Sequence, residues 1–522
     1  MLLHDSFGFV PIAGHDDSPV CAEMQEREHV AGGKRGHQQF LGVVSGRIAP
    51  EVRIGGTGYW RAFAIRGNFV VASKGAIAAC ARSQVSGPIY DDSISMGAFH
   101  SSIMPGLRAA CYAGGLKLLL RLLVLALAAA LAPAAPRATL FDQVGPILAD
   151  LSQITGWNVA RNVPAQILSK QTFRHYMEAR MKESNTRELR AEELTLKMFG
   201  LVPKDFNLAG ETVDLMSEQA AAYYDYQKKR LFILDSTPNG EEQRMALVHE
   251  LAHALADQHH SLGKFIRDGA LDDDAATARQ AVMEGQANWL TFAYLSYHDG
   301  GKPEIPEPLL DQVSSSAGAN GPEFPVYTSA PLYIRESLVF PYNQGTRFQD
   351  AIYRKLGRRA FDEVFTHPPQ STQQIMHPEE YFLQVEPSMP EPATLDPLLG
   401  KQAREFRLLT DGALGEFDFS ALLRQYVGER EGSIAAAHIR GGAFRLYEHK
   451  RERYPVLACT TRWDSPDAAR AYFGLYKRVL QGKWRKLEIE GDSGTVLSGV
   501  GDYGKFQVRL VGSAVESVEG MR

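Results

Sequence analysis

An α+β fold is predicted for this 522-residue chain from three observations. Apolar residues recur at helical spacing through 141–201 and again through 241–298. Residues 222–235 read as two short strands around a polar turn. Beyond residue 442, strand-like and helical stretches alternate. Hydrophobic residues make up 44% and charged residues 22%, a balance that excludes a wholly disordered chain and a polytopic membrane protein. At roughly 100–200 residues per domain, the length implies two to four folding units. No segment repeats at a fixed period, which argues against a solenoid.

Residues 1–103 stand apart. They hold 14 of the 47 glycines and five of the 15 histidines, and their short apolar runs offer only scraps of strand such as Asn68 to Ala72. From Met104 the sequence changes. Lys117 and Arg121 precede the unbroken apolar run Leu122 to Leu131, and the small residues Ala132 to Ala138 follow, interrupted by Pro133, Pro136 and Arg137. This is the three-part layout of a secretory signal peptide. Its apolar core is shorter than the roughly 20 residues of a spanning helix. Residues 104–138 are therefore expected to direct secretion or periplasmic export, with translation starting at Met104 or Met96. The alternative is a membrane-anchored protein held through 116–132, and only then is a membrane a partner.

The expected organisation is 1–103 poorly structured, 104–138 signal peptide or anchor, 139–205 helical lead-in, 206–399 core, and 400–522 a small α+β C-terminal subdomain. Residues 139–522 carry 43 basic and 52 acidic residues. That acidic balance excludes nucleic acid as an expected partner. Cys21, Cys80, Cys111 and Cys459 show no CxxC spacing, so neither a thiolate zinc site nor a redox pair is indicated, and Cys459 is expected to be buried and free.

In the lead-in, Phe141, Val144, Ile147, Leu148 and Leu151 mark one helical face, and Ala191 to Leu201 repeats the pattern up to Gly200. Leu231 to Leu234 is a continuous apolar run, as expected of a strand buried on both faces, though an edge offered to an extended peptide is an equal reading. Ser236 to Gly240 breaks the strand. Glu241 and Glu242 then open a helix running to about His259, acidic residues being favourable at a helix N-terminus. A second long helix covers about Asp274 to His298. Residues 300–325 read as loop, 347–366 as helical, and 367–400 as Pro-rich and irregular.

The chemistry sits at His249-Glu250-Leu251-Ala252-His253, an HExxH motif on the first of these helices. Positions i and i+4 share a helix face, so two imidazoles can grip one Zn²⁺ at about 2.0–2.1 Å each. Glu250, beside the metal, can take a proton from a water that zinc acidifies toward a pKa of about 7. A third ligand is required. Asp257 lies eight residues past His249, about 12 Å of helix rise away, and cannot reach the same ion; it is expected behind the ligands or at the surface. Glu284 and His259 are the serious candidates. Asp272, Asp273 and Asp274 are a weaker option, read more simply as a solvated helix start. Arg279 is expected to pair with an acidic neighbour. Tyr342 and His377 are candidate hydrogen-bond donors to an oxyanion on the substrate carbonyl.

The segments HELAHALADQHH (249–260) and ARQAVMEGQAN (278–288) resemble the gluzincin branch of the zincin metallopeptidases. More closely, they are similar to a group of exported bacterial zinc peptidases with a HELxHALxDQ helix and a later EGxA helix. Ala222-Tyr223-Tyr224-Asp225, Pro368 to Thr372, His377 to Tyr381, Trp463-Asp464 and Asp467-Ala468 fit the same group, so the resemblance spans about 140–480, loosely in the tail. It implies a zincin-like core, with a small antiparallel sheet over the HExxH helix, and a single zinc ion on His249, His253 and Glu284. It also implies Glu250 as general base, a peptide or protein substrate, and a ligand-orienting role for Asn288, where gluzincins often carry Asp or Thr. The spacing HExxHxxAxxH also matches the three-His pattern of the metzincins except at Ala256, where those enzymes have Gly. Without that Gly the helix is expected to continue and carry His259 about 9 Å along the axis from His253.

The expectation is an exported zinc-dependent metallopeptidase. A zinc-bound but inactive binding or folding-accessory protein is the alternative, and a zinc hydrolase acting on another bond is compatible with the same motif.

Overall fold

The computed structural model describes residues 9–11, 52–54, 58–65, 68–72, 140–183, 186–237, 240–269, 272–315 and 324–522. The export segment 104–138, with the alternative anchor 116–132, lies outside them. Among the described residues no helix is long and apolar enough to cross a membrane. The chain forms two compact units, one of Met1–Asp16 with Gln143–Arg522, the other of Asp17–Asp142. Strand β1 (Phe9–Pro11) belongs to the first. In the second, β2 (Val52–Ile54), β3 (Gly58–Ile65) and β4 (Asn68–Ala72) form an antiparallel meander.

The larger unit is mixed α and β. Helix α1 (Val144–Thr155) buries Ile147, Leu148, Leu151 and Ile154 on one side and stops at Gly156, whose φ of 81° lets its N–H reach back to the Ser152 carbonyl. Strand β5 (Ala165–Leu168) interrupts the expected helical lead-in before helices α2 (Lys170–Glu183), α3 (Thr186–Phe199) and α4 (Leu208–Gln219). Strands β6 (Ala220–Asp225) and β7 (Arg230–Leu234) then form the expected hairpin, Tyr224 opposite Leu231.

The sheet departs from the expected antiparallel arrangement, and it decides between the two readings of Leu231 to Leu234. The order is β1-β6-β7-β5, and β5 runs parallel to β7. The sheet is therefore mixed, because the chain enters β5 and β7 from the same end. Strand β7 lies inside the sheet with both edges hydrogen-bonded, so Leu231 to Leu234 offers no edge to a peptide; its continuous apolar run reflects burial on both faces.

Helix α5 (Glu241–His260) carries the HExxH motif and packs against β6, β7 and α1. It ends where Ser261 takes a left-handed conformation. After α6 (Leu262–Gly269), the 26-residue α7 (Asp273–His298) starts on an Asp272 cap that accepts the Ala275 N–H at 2.7 Å. The connection expected as loop contains α8 (Glu307–Ser315). Short α9 (Pro325–Ser329) precedes α10 (Leu332–Leu356), which crosses α7 and extends well ahead of the helix expected from 347. Short helices α11 (Ala360–Thr366), α12 (Thr372–Met376), α13 (Pro378–Phe382) and α14 (Asp396–Leu399) follow.

The C-terminal part is an antiparallel sheet of seven strands. It comprises β8 (Phe406–Leu414), β9 (Ile439–His449), β10 (Pro455–Trp463), β11 (Glu488–Asp492), β12 (Val496–Gly501), β13 (Gly504–Val511) and β14 (Ala514–Met521), in the order β11-β12-β13-β14-β10-β9-β8. Helices α15 (Glu416–Val427), α16 (Glu429–Ala436) and α17 (Pro466–Lys483) pack with it, and Cys459 is free and buried in its core. One hydrophobic cluster joins Leu196 and Phe199 of α3, Ile334 of α10, Phe419 of α15 and Trp463 of β10. Apolar packing thus runs unbroken across the boundary drawn at 399/400.

Candidate metal centre

Two helices build the site. Helix α5 places His249 and His253 one turn apart on the same face. Helix α7 brings Glu284 to that face. The His249 and His253 Nε2 atoms are 3.0 Å apart, and each lies 3.2 Å from Glu284 Oε2. Four ligands arranged tetrahedrally at about 2.0–2.1 Å from one Zn²⁺ stand about 3.3 Å from each other. The observed separations match that spacing, and the three side chains form a buried group able to hold a metal ion. Glu284 Oε1 is buried and, among the described residues, has no hydrogen-bond partner, as fits a carboxylate whose other oxygen faces an ion.

The electrostatics agree with the donor set. Burial lowers the His249 pKa to about 4, which keeps its imidazole neutral and free to donate a lone pair. Burial pushes Glu284 upward, but the two imidazoles beside it outweigh that and hold it below the usual carboxylate range. Glu250 is fully buried, and among the described residues no side chain hydrogen-bonds either of its oxygens. Burial, reinforced by the Glu284 charge, holds its pKa well above the ordinary value; the Tyr224 backbone facing it pulls the other way.

The remaining expected residues fall in three places. Tyr342, on α10, sets its ring 5.9 Å from the His249 ring, next to the centre. Asn288 does not orient a histidine through its amide nitrogen: Nδ2 donates to Thr346 Oγ at 2.9 Å, and Thr346 Oγ donates to the Tyr342 carbonyl at 2.5 Å, so the chain of bonds leads to α10. His377 is instead bonded to Glu416 at 2.9 Å, with Glu379 also near.

His259 turns away from the triad. Its Nε2 lies 2.9 Å from the Asn158 carbonyl, and its ring stacks on Trp157 at 5.3 Å. The helix continues through Ala256 to His260, as the missing glycine requires. Asp272 caps α7, while Asp274, expected to be solvated, is buried and accepts both the N–H and the Oγ–H of Thr372, at 3.0 and 2.6 Å. The Arg279 guanidinium donates to the Phe265 carbonyl at 2.9 Å.

Asp257 is buried on α5, two turns past Glu250. Its carboxylate accepts from the Tyr224 hydroxyl at 2.9 Å, Lys229 Nζ at 2.6 Å, Arg161 Nη2 at 3.4 Å and the Leu262 N–H at 3.0 Å. Sequence reasoning missed Tyr224, Lys229 and Thr346. The available signal for the first two was two polar residues of one hairpin facing a helix with an acid two turns past Glu250.

No family model matches the chain, and neither does any curated protein or solved structure.

Proposed function

We propose that this protein is an exported zinc-dependent metallopeptidase of the gluzincin type. The observation that carries the reading is the set of 3.0–3.2 Å separations among His249 Nε2, His253 Nε2 and Glu284 Oε2. Two imidazoles and one carboxylate are the donor set of a catalytic rather than a closed structural zinc site, in which water takes the fourth position. Zinc held there supplies Lewis acidity and a water ionised near neutral pH. Glu250 follows His249 in the chain and, among the described residues, has no competing side-chain partner. In this reading it takes the proton of the attacking water and returns it to the departing amine. In the same reading Tyr342, whose ring lies 5.9 Å from that of His249, donates a hydrogen bond to the carbonyl oxygen. Export rests on the layout of 104–138, and the zincin-like core on the resemblance of the two helices.

A second reading, a zinc-holding protein without turnover, draws on burial: His249, His253, Glu284 and Glu250 are each 2% exposed or less. One experiment separates the two. The purified chain and its Glu250→Gln variant are assayed for bound metal and for cleavage of an unbiased peptide library. Zinc in both with cleavage only by the wild type is the expected result. Zinc in both and cleavage in neither favours the second reading.

A further inference from the structure

Asp257 lies seven residues after Glu250, two turns along the same face of α5 and about 10 Å further in rise. Both residues meet Tyr224. The Tyr224 main chain faces the Glu250 carboxylate, while its hydroxyl donates to Asp257 Oδ2 at 2.9 Å. The turn that follows in the same hairpin is held by the same oxygen. Lys229, in the left-handed conformation at φ 53°, brings Nζ within 2.6 Å of Asp257 Oδ2, and Arg161 adds a longer contact from the segment before β5. The other oxygen, Oδ1, accepts the Leu262 N–H, which begins the helix after α5. The carboxylate has no exposed side-chain surface. It therefore spends both oxygens on protein, at a point too far along the helix to touch a metal on His249 and His253.

Among the described residues no side chain anchors Glu250 in this way. Its orientation depends on packing and on the Tyr224 main chain that faces it. We propose that Asp257 is a positioning residue: by fastening the Tyr224 side chain and the Lys229 turn to α5, it fixes the Tyr224 main chain opposite Glu250 and so sets the orientation of the base. This rests on the peptidase reading of the site. It assigns the acid of the HExxH helix a role through strand β6 instead of through the ligands.

The test uses the full chain and three variants. Tyr224→Phe deletes only the hydroxyl. Asp257→Asn keeps the shape and an acceptor for Tyr224 but drops the charge that holds Lys229. Asp257→Ala removes all of it. Bound zinc, kcat and KM on a cleaved library peptide, and hydrogen exchange of segments 220–225 and 249–253 are measured. Supporting groups around metal sites typically change activity 10–100-fold. Tyr224→Phe is accordingly expected to lower kcat about tenfold, with KM and zinc content unchanged and faster exchange confined to 220–225. Asp257→Asn is expected to fall between Tyr224→Phe and Asp257→Ala, a partial rescue by the conservative change. Wild-type kcat and wild-type exchange in Tyr224→Phe would overturn the proposal, even if Asp257→Ala fails to fold. A wild type that binds zinc but cleaves nothing overturns the peptidase reading instead. The exchange data still judge the clamp in that case, since unchanged protection of 220–225 in Tyr224→Phe removes it.

Discussion

Gly285, the residue after Glu284, lies against Gly345, three residues after Tyr342, with no room for a side chain on either. A Cβ on Gly285 would overlap the Gly345 main chain, and one on Gly345 would overlap the Ala281 carbonyl. The ligand-bearing α7 and the Tyr342-bearing α10 thus touch backbone to backbone one residue from the metal centre. Gly345→Ala is expected to force the helices apart, destabilising the protein by about 1–3 kcal/mol as overpacking does and weakening zinc binding by moving Glu284. Equilibrium denaturation and a zinc titration check both. Unchanged values for the two would mean that the crossing has slack.

The third ligand can be assigned by metal content. Glu284→Ala removes one of three donors and leaves a cavity where a carboxylate stood, so most bound zinc is expected to be lost. His259→Ala removes a ring stacked on Trp157 and bonded to the Asn158 carbonyl and is expected to keep its zinc. The opposite pattern would displace Glu284 from the centre while leaving the two histidines of α5 in place.

The ligand geometry was legible because local rules generate it. The i, i+4 spacing fixes His249 and His253 on one face whatever the tertiary context, and Ala256 in place of glycine keeps the helix running past His259. The course of α10 was hidden by Pro341, inside the helix, whose ring and missing N–H read as a helix breaker. Strand β8 was missed because a half-buried strand among polar residues carries a weak period, and β14, buried almost throughout, because Glu516 and Glu519 interrupt its apolar residues. The Asp257 clamp depends on side chains 28 and 33 residues away, which no spacing rule reaches. The buried carboxyl of Asp274 was misread because three consecutive acids at a helix start ordinarily face water. Here α12 and α15 close over the second of the two on the helix: Thr372 bonds to it and also accepts the Phe417 N–H.

A buried charge pair braces the C-terminal sheet. Lys483 Nζ lies 2.7 Å from Glu519 Oε2, and the Tyr476 hydroxyl donates to Oε1 at 2.5 Å; the lysine and glutamate side chains are 1% and 0% exposed. Removing one partner strands the other charge in a medium that solvates it poorly, which typically costs about 3–5 kcal/mol. Lys483→Met is expected to destabilise by that amount. Lys483→Met combined with Glu519→Gln is expected to recover much of it, since a neutral amide keeps the tyrosine bond without an uncompensated charge. Chemical denaturation of the two variants decides this, and equal losses in both would mean that the ion pair itself carries the stability.

Asp274 predicts a pH dependence of stability. Burial, joined by the nearby Asp418 and Asp272, raises its pKa to about 7, although both hydrogen bonds from Thr372 pull it down. Asp273 is raised to about 6 and Asp418 is raised as well, each chiefly by burial, so the charges around it do not offset the effect. An unfolded aspartate titrates near 3.9. Between about pH 4 and 7 the folded protein therefore holds a proton that the unfolded chain has released. The stabilisation from that proton is complete below about pH 4 and is lost as pH rises through about 7, with a slope of at most about 1.4 kcal/mol per pH unit for one group. Asn at this position stays neutral and still offers Thr372 an acceptor. The stability of wild type minus that of Asp274→Asn should accordingly fall from pH 5 to pH 7 and level off by pH 8, while groups that titrate alike in both proteins cancel. Denaturant unfolding of the pair at pH 5, 6, 7 and 8 measures the difference directly. A flat difference over that range would show that the carboxyl is charged throughout and that Thr372 stabilises the anion more than burial opposes it.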